Sequence, residues 1–272
     1  MKHFQISSPL ILEARKERDW DGNFLLVPIA APKNNTPEKP GKKIGDTLLL
    51  TGEETQLLIS LGMTEKISRK TIRKAGEATA KWLIAHQASK VGLRATAFDD
   101  FGIKNALDAF CEGLLLGAFS FDLHKAKRDD IERVNVHLLA DRDISRLQER
   151  ITRVTAIVDG VNLARELSHE PPNVIIPVSL VERVQTLASE TGLKCTVFGE
   201  KELTEMGAGA ILSVGLGSKT PSQMIILEPL GHGARAEEPP VVVVGKAITF
   251  DTGGYSLKDT KGIVGMKFDK SG

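Results

Sequence analysis

Four consecutive valines at positions 241–244 constrain the fold of this chain more than any other feature. A strand with one face in water alternates apolar and polar residues, whereas a strand covered on both faces is apolar throughout. The run therefore predicts a central strand at residues 240–244, in a mainly parallel sheet with helices on both faces. Ligands of such sheets bind beyond the carboxyl ends of the strands, and Lys246 and Asp251 follow this strand directly.

The rest of the chain alternates strand-like and helix-like segments, which is typical of an α/β protein. Apolar or alternating runs predict strands at residues 24–29, 46–50, 134–139, 193–198, 210–214 and 224–227. Helical periodicity predicts helices at residues 65–86, 104–116 and 145–168. Residues 34–43 are polar and rich in turn formers, so we expect an exposed loop there.

Helix boundaries follow from short polar patterns. Ser145 with Gln148, and Ser179 with Glu182, have the spacing of capping boxes, so each pair predicts a helix start. The second of these helices should end near Gly192.

These boundaries divide the chain into three parts. We expect an N-terminal α/β domain at residues 1–144, a connecting helix and linker at residues 145–175, and a second α/β domain at residues 176–272. The connecting helix must end before two consecutive prolines at positions 171 and 172, because proline cannot continue the helical hydrogen bonds.

Charge and cysteine content argue against several classes of protein. The 36 Lys and Arg residues against 35 Asp and Glu residues leave a formal charge of +1, which does not favour nucleic acid as a partner. The N-terminus has no signal-peptide pattern, and no apolar stretch reaches the roughly 18 residues of a membrane span. The two cysteines, Cys111 and Cys195, are far apart in the sequence, which fits the reducing cytoplasm.

Two lysines and two aspartates follow the predicted central strand at short intervals. Asp251 and Asp269 offer carboxylate oxygens, which zinc, manganese and magnesium accept as ligands. Lys246 can ligate a metal only as the neutral amine, whereas a protonated Lys258 can stabilise a carbonyl oxygen that becomes an oxyanion. The same residue types also occur at ordinary strand ends and turns, so spacing alone leaves a structural role open.

The segments VGKAITFDTGGYSLK and MKFDKSG resemble two signatures of the leucyl aminopeptidases with a dinuclear metal site, the M17 peptidases. Weaker matches occur in the same order as in that family, at residues 60–83, 112–122, 162–177 and 206–218. The resemblance implies an N-terminal α/β domain, a connecting helix and a C-terminal catalytic α/β domain, assembled as a homohexamer. It also implies a cytoplasmic enzyme that releases N-terminal amino acids from peptides.

The resemblance also implies the cofactor and the role of each site residue. Two divalent ions, Mn or Zn, would activate a bridging water. Lys246, Asp251 and Asp269 would be metal ligands, and Lys258 would be the catalytic electrophile.

The sequence departs from the family pattern at three places. Ala247 stands where the family has glycine, and Lys270 with Ser271 replaces Met-Gly, which adds a positive charge next to Asp269. The NTDAEGR motif of the family, which carries further ligands, has no counterpart before Gly272. We therefore expect a truncated catalytic domain with an incomplete second metal site, and a chain that is inactive by itself.

Two other functions remain open at this point. The chain can be a non-catalytic oligomerisation or regulatory remnant of such an enzyme. It can also be an aspartic protease, because residues 250–253 read Phe-Asp-Thr-Gly and two copies of Asp251 in a dimer would pair two carboxylates.

Overall fold

A computed structural model of the chain describes residues 8–31, 43–126, 132–229 and 241–272. The fold is α/β, as predicted, and the chain divides into two compact units, Met1–Leu163 and Ala164–Gly272. The predicted loop at residues 34–43 lies outside the described residues except for Lys43. No helix among the described residues combines the length and the apolar character needed to cross a bilayer.

The first unit is built on a six-stranded sheet in the order β1-β6-β5-β2-β4-β3. Its strands are β1 Leu10–Lys16, β2 Phe24–Ala31, β3 Thr47–Leu50, β4 Thr55–Met63, β5 Lys90–Arg94 and β6 Val134–Ala140. Neighbouring strands run parallel, except that β3 runs antiparallel to β4 at the edge of the sheet. The strands predicted at residues 24–29, 46–50 and 134–139 are confirmed.

Two helices of the first unit, α1 Arg69–Ala85 and α2 Ala106–Gly117, cross at unusually close range. A Cβ atom at Gly113 would lie 2.1 Å from the carbonyl oxygen of Arg73, so only glycine permits this approach. α1 begins later than predicted, because Ser68 caps it by accepting a hydrogen bond from the N–H of Thr71. Phe110 of α2 is fully buried in the resulting core.

The helix predicted at residues 145–168 is confirmed as α3, Ile144–His169, but Val161, the last residue of its predicted apolar stripe, is 43% exposed. Leu147, Ile151, Val154 and Val158 are buried in the core of the first unit. The predicted capping box at Ser145 is wrong, because the helix begins one residue before it. The Gln148 side chain instead accepts a hydrogen bond from the N–H of Ala14, at 3.3 Å.

The second unit contains the C-terminal end of α3 followed by short elements. They are α4 Pro177–Thr191, β7 Leu193–Phe198, α5 Glu200–Glu205, α6 Gly209–Gly215, β8 Met224–Pro229, α7 Thr260–Ile263 and a 3-10 helix at Met266–Lys270. β7 and β8 form an antiparallel pair and confirm two predicted strands. α4 ends at Thr191, next to Gly192 as predicted.

Two predictions for the second unit need correction. Ser179 does not begin α4, because the cap is Ile176 and the Ser179 hydroxyl accepts a hydrogen bond from its N–H at 3.0 Å. The strand predicted at residues 210–214 is part of the helix α6, in which the Ser213 hydroxyl donates to the carbonyl of Ala210. A five-residue apolar run is too short for its periodicity to separate strand from helix.

The predicted central strand at residues 240–244 is also wrong for the part that the structure describes. Residues 241–244 form no strand, and the four valines are 94%, 74%, 91% and 89% exposed. An apolar run becomes a buried strand only where neighbouring strands and helices cover it, and no described strand pairs with this one. Buried apolar side chains are also few in the described part of this unit: Ile175, Val181, Ala188 and Leu203.

Candidate functional site

The four predicted site residues form two ion pairs in the second unit. The ammonium of Lys246 lies 2.8 and 2.6 Å from the two carboxylate oxygens of Asp269. The ammonium of Lys258 lies 2.6 Å from Oδ2 of Asp251. Each predicted lysine therefore contacts one of the predicted aspartates.

The turn at residues 251–254 (DTGG) directs Lys258 back onto Asp251. The N–H of Gly253 donates to Oδ1 of Asp251 at 2.9 Å, and the N–H of Lys258 donates to the Thr252 carbonyl at 3.0 Å. The Lys258 ammonium also donates to the Asp251 carbonyl at 3.1 Å. Gly253 has a φ of +89°, and a Cβ atom there would lie 2.4 Å from the Ser256 carbonyl oxygen. Glycine is therefore required at this position.

Replacing Gly253 with alanine should open this turn. Both the strained φ and the clash with a backbone oxygen oppose the side chain, so we expect a local cost of about 1 kcal/mol or more, which corresponds to roughly fivefold faster hydrogen exchange. The exchange rate of the Lys258 amide measures this change.

Gly254→Ala is the matched control, since Gly254 also has a positive φ, of +64°, but a Cβ atom there meets nothing within 4 Å. A Gly253→Ala variant that exchanges no faster than Gly254→Ala would contradict the requirement for close packing in the turn.

The two ion pairs are electrostatically connected. The Lys258 hydrogen bond, followed by the Gly253 N–H, lowers the pKa of Asp251 below its usual value, and the positive charges of Lys258 and Lys246 add to this effect. The N–H of Gly272 also donates to the Lys246 carbonyl at 3.1 Å, which ties the segment carrying Asp269 to the backbone at Lys246. The lowered pKa favours the anionic form of Asp251, and the backbone hydrogen bond keeps the segment of Asp269 next to Lys246.

The residues fit one divalent cation in part and do not fit two. Asp251 and Asp269 supply two negative charges, whereas two divalent cations carry four positive charges. Within residues 8–31, 43–126, 132–229 and 241–272, no three His, Cys, Asp or Glu side chains are grouped so that they can hold a metal ion. A two-metal site therefore needs carboxylates in addition to those that the structure describes.

The aspartic-protease alternative loses support from this geometry. Such enzymes activate water with two carboxylates that share one proton. Asp251 instead accepts hydrogen bonds from Lys258 and Gly253, which stabilise its ionised form.

Sequence reasoning missed a group of contacts at the C-terminal end of α3. Glu166 and Glu170 are four residues apart and both lie near Arg183, with N–O distances of 3.4 and 3.9 Å. Lys270 is only 8% exposed, and its ammonium donates to the Glu170 carbonyl at 3.1 Å. The spacing of the two glutamates, which places them on one face of a helix, was a signal for this group.

Two family models match the chain. The N-terminal domain of the cytosol aminopeptidase family matches residues 39–128, and its catalytic domain matches residues 162–272. The chain belongs to the cytosol aminopeptidase family. Its four candidate site residues lie within the part that matches the catalytic domain of cytosol aminopeptidases.

Curated relatives and solved structures agree with this family. The cytosol aminopeptidase of Pseudomonas aeruginosa is 36% identical over 244 residues, which cover 85% of this chain and 48% of the relative. The probable cytosol aminopeptidase of Clostridium perfringens is 30% identical over an alignment that covers 95% of this chain and 57% of the relative. The chain thus spans about half the length of these cytosol aminopeptidases.

A solved structure confirms the fold. The bottromycin maturation enzyme BotP in complex with Mn superposes with a TM-score of 0.73 at 24% identity, covering 92% of this chain and 53% of that chain. At this identity the likeness carries the fold alone.

Proposed function

We propose that this chain supplies part of the active site of a metal-dependent aminopeptidase of the leucyl aminopeptidase type. The observation that carries the proposal is the pair of connected ion pairs, Lys246 with Asp269 and Lys258 with Asp251. They occupy the segment that matches the catalytic domain of cytosol aminopeptidases.

Lys246, Asp251 and Asp269 would bind Mn or Zn, and Lys246 would have to lose a proton from its ammonium group to ligate as a neutral amine. A metal at this place would lower the pKa of a coordinated water and so supply the nucleophile. Lys258 has a different role, since its ammonium would stabilise the negative charge that develops on the carbonyl oxygen of the peptide. Its side chain is 28% exposed, which leaves the cation accessible to a substrate.

The substrate in this proposal is a peptide with a free N-terminus, and the product is its N-terminal amino acid. The active assembly would be a cytoplasmic homo-oligomer, a hexamer by the family resemblance. Because two carboxylates do not balance two divalent ions, we propose that the described residues alone do not turn over substrate and that further carboxylates complete the site.

A chimera tests this proposal directly. The chain is joined to the half of the Pseudomonas aeruginosa relative that it does not match, and leucine release from leucyl amide is measured with Mn²⁺. We expect the chimera to release leucine and the chain alone not to. Lys258→Met should lower kcat of the chimera about 100- to 1,000-fold, the usual cost of losing one oxyanion donor.

Lys261→Met in the same chimera is the control, because Lys261 is exposed and lies three residues away in the sequence. A chimera whose activity is unaffected by Lys258→Met would overturn the role of Lys258. Activity that is equally lost in both variants would show that charge in general, rather than this lysine, is required.

A second candidate function is a non-catalytic oligomerisation or regulatory subunit. The uneven distribution of buried apolar residues favours it, since most of them lie in Met1–Leu163, which has a core of its own. Calorimetry that detects no binding of Mn²⁺ or Zn²⁺, together with a stable oligomer in light scattering, would favour this candidate over the enzyme.

A further inference from the structure

We propose that Lys270 is a positioning residue that anchors the 3-10 helix Met266–Lys270 to the C-terminal end of α3 and thereby holds the carboxylate of Asp269 against Lys246. The importance of this for metal binding rests on the proposed function. The anchoring itself does not depend on the proposed function, and it can be measured without metal.

The contact between Lys270 and α3 is buried. α3 ends at His169, and the Lys270 ammonium donates to the carbonyl of the next residue, Glu170, at 3.1 Å. Carbonyl groups at the end of a helix lack partners within the helix and carry partial negative charge, so a cation is favourable there. With 8% of Lys270 exposed, water competes little for this hydrogen bond.

The anchoring contacts lie on both sides of Asp269 in the sequence. Before it, the Lys267 ammonium donates to the His169 carbonyl at 2.8 Å, and the Phe268 ring packs edge-on against the His169 ring with centroids 5.9 Å apart. After it, the hydroxyl of Ser271 lies 2.8 Å from that of Ser168. The backbone of Asp269 is therefore held from both directions.

Buried charges at this place compensate one another. The Glu170 side chain is 3% exposed and the Glu166 side chain 12%, and both carboxylates lie near the guanidinium of Arg183. A buried cation is costly unless anions and hydrogen bonds surround it. Glu170 offers Lys270 a carbonyl partner at 3.1 Å and a negative charge, and both offset part of the cost of burying the ammonium.

The anchored segment reaches the candidate metal ligands directly. Asp269 contacts Lys246 through both carboxylate oxygens, and the N–H of Gly272 donates to the Lys246 carbonyl at 3.1 Å. The family signature has methionine at the position of Lys270, and methionine cannot donate this hydrogen bond. Lys270 departs from the family signature in its residue type, and in this chain that residue has a positioning role.

The variant Lys270→Met tests the inference in the full chain. It removes the ammonium but keeps an unbranched side chain in the buried space. We expect hydrogen exchange of the Gly272 amide to accelerate about tenfold without metal, and Mn²⁺ affinity measured by calorimetry to fall about 10- to 100-fold, the range seen when a supporting partner of a metal ligand is removed.

Two further variants complete the experiment. Lys267→Met removes a partly exposed anchor, so it should change both readouts in the same direction as Lys270→Met but by a smaller amount. This variant keeps the inference testable if Lys270→Met folds poorly. Lys261→Met removes an exposed lysine outside the anchored segment and should change neither readout.

Wild-type exchange rates in both Lys270→Met and Lys267→Met would overturn the inference, and so would faster exchange with unchanged Mn²⁺ affinity. If no protein in the series binds Mn²⁺ while Gly272 still exchanges faster in Lys270→Met, the anchoring is supported and the proposed function fails.

Discussion

Truncating Phe110 to alanine should destabilise the N-terminal unit by about 3–5 kcal/mol, the usual cost of removing a fully buried phenylalanine. Phe110 is 0% exposed, and its ring packs against Phe98 with centroids 5.1 Å apart. The close approach of α1 and α2 at Gly113 leaves little freedom for the helices to collapse into the space that the ring vacates. Urea unfolding followed by circular dichroism measures the loss.

Leu49→Ala is the control for this prediction. Leu49 is on the edge strand β3 and is 44% exposed, so its truncation should change stability by no more than about 0.5 kcal/mol. Equal losses in the two variants would mean that the buried ring of Phe110 contributes no more to stability than an exposed side chain at the sheet edge.

Replacing Asp251 with asparagine should weaken Mn²⁺ binding by on the order of 100-fold or more, since even supporting partners of metal ligands cost about 10- to 100-fold. The substitution keeps the size of the side chain and removes its negative charge. Lys258 and Gly253 hold the pKa of Asp251 below its usual value, so at neutral pH the wild-type side chain is an anion available to a cation. Calorimetry with Mn²⁺ measures the change.

Asp259→Asn provides a matched control with the same change of charge nearby. The carboxylate of Asp259 caps α7 by accepting a hydrogen bond from the N–H of Gly262 at 2.6 Å, and asparagine caps helices equally well. We therefore expect its Mn²⁺ affinity to stay within about twofold of wild type, well inside the effect of losing a supporting partner. If the two variants weaken binding equally, general electrostatic attraction rather than ligation by Asp251 accounts for the affinity.

The fold class and many of the elements were predictable from local patterns. The apolar stripe of α3, the strands at residues 24–29 and 134–139 and the end of α4 before Gly192 all follow from periodicity or from helix-ending residues. Those signals are local, because a helix or strand repeats its contacts every few residues. Capping at Ser145 and Ser179 was predicted wrongly, because each serine lies within the first turn of its helix rather than at the residue before it.

The contacts among the four candidate site residues were not predictable from the sequence. The sequence indicated Lys246, Asp251, Lys258 and Asp269 as a group, and the structure determined which lysine contacts which aspartate. Twenty-three residues separate Lys246 from Asp269, so no local pattern specifies this contact. The glycines of the turn were visible in the sequence, but the backbone clash that requires Gly253 was not.

The sequence by itself determined the family and the α/β class, because these depend on residue types in a fixed order. Only the tertiary structure decided that the valines at 241–244 are exposed and that Lys270 is buried at the end of α3. Burial depends on what packs against a residue from distant parts of the polypeptide. An apolar valine without a covering layer therefore lies in water, and a lysine with a carbonyl and a carboxylate beside it lies inside.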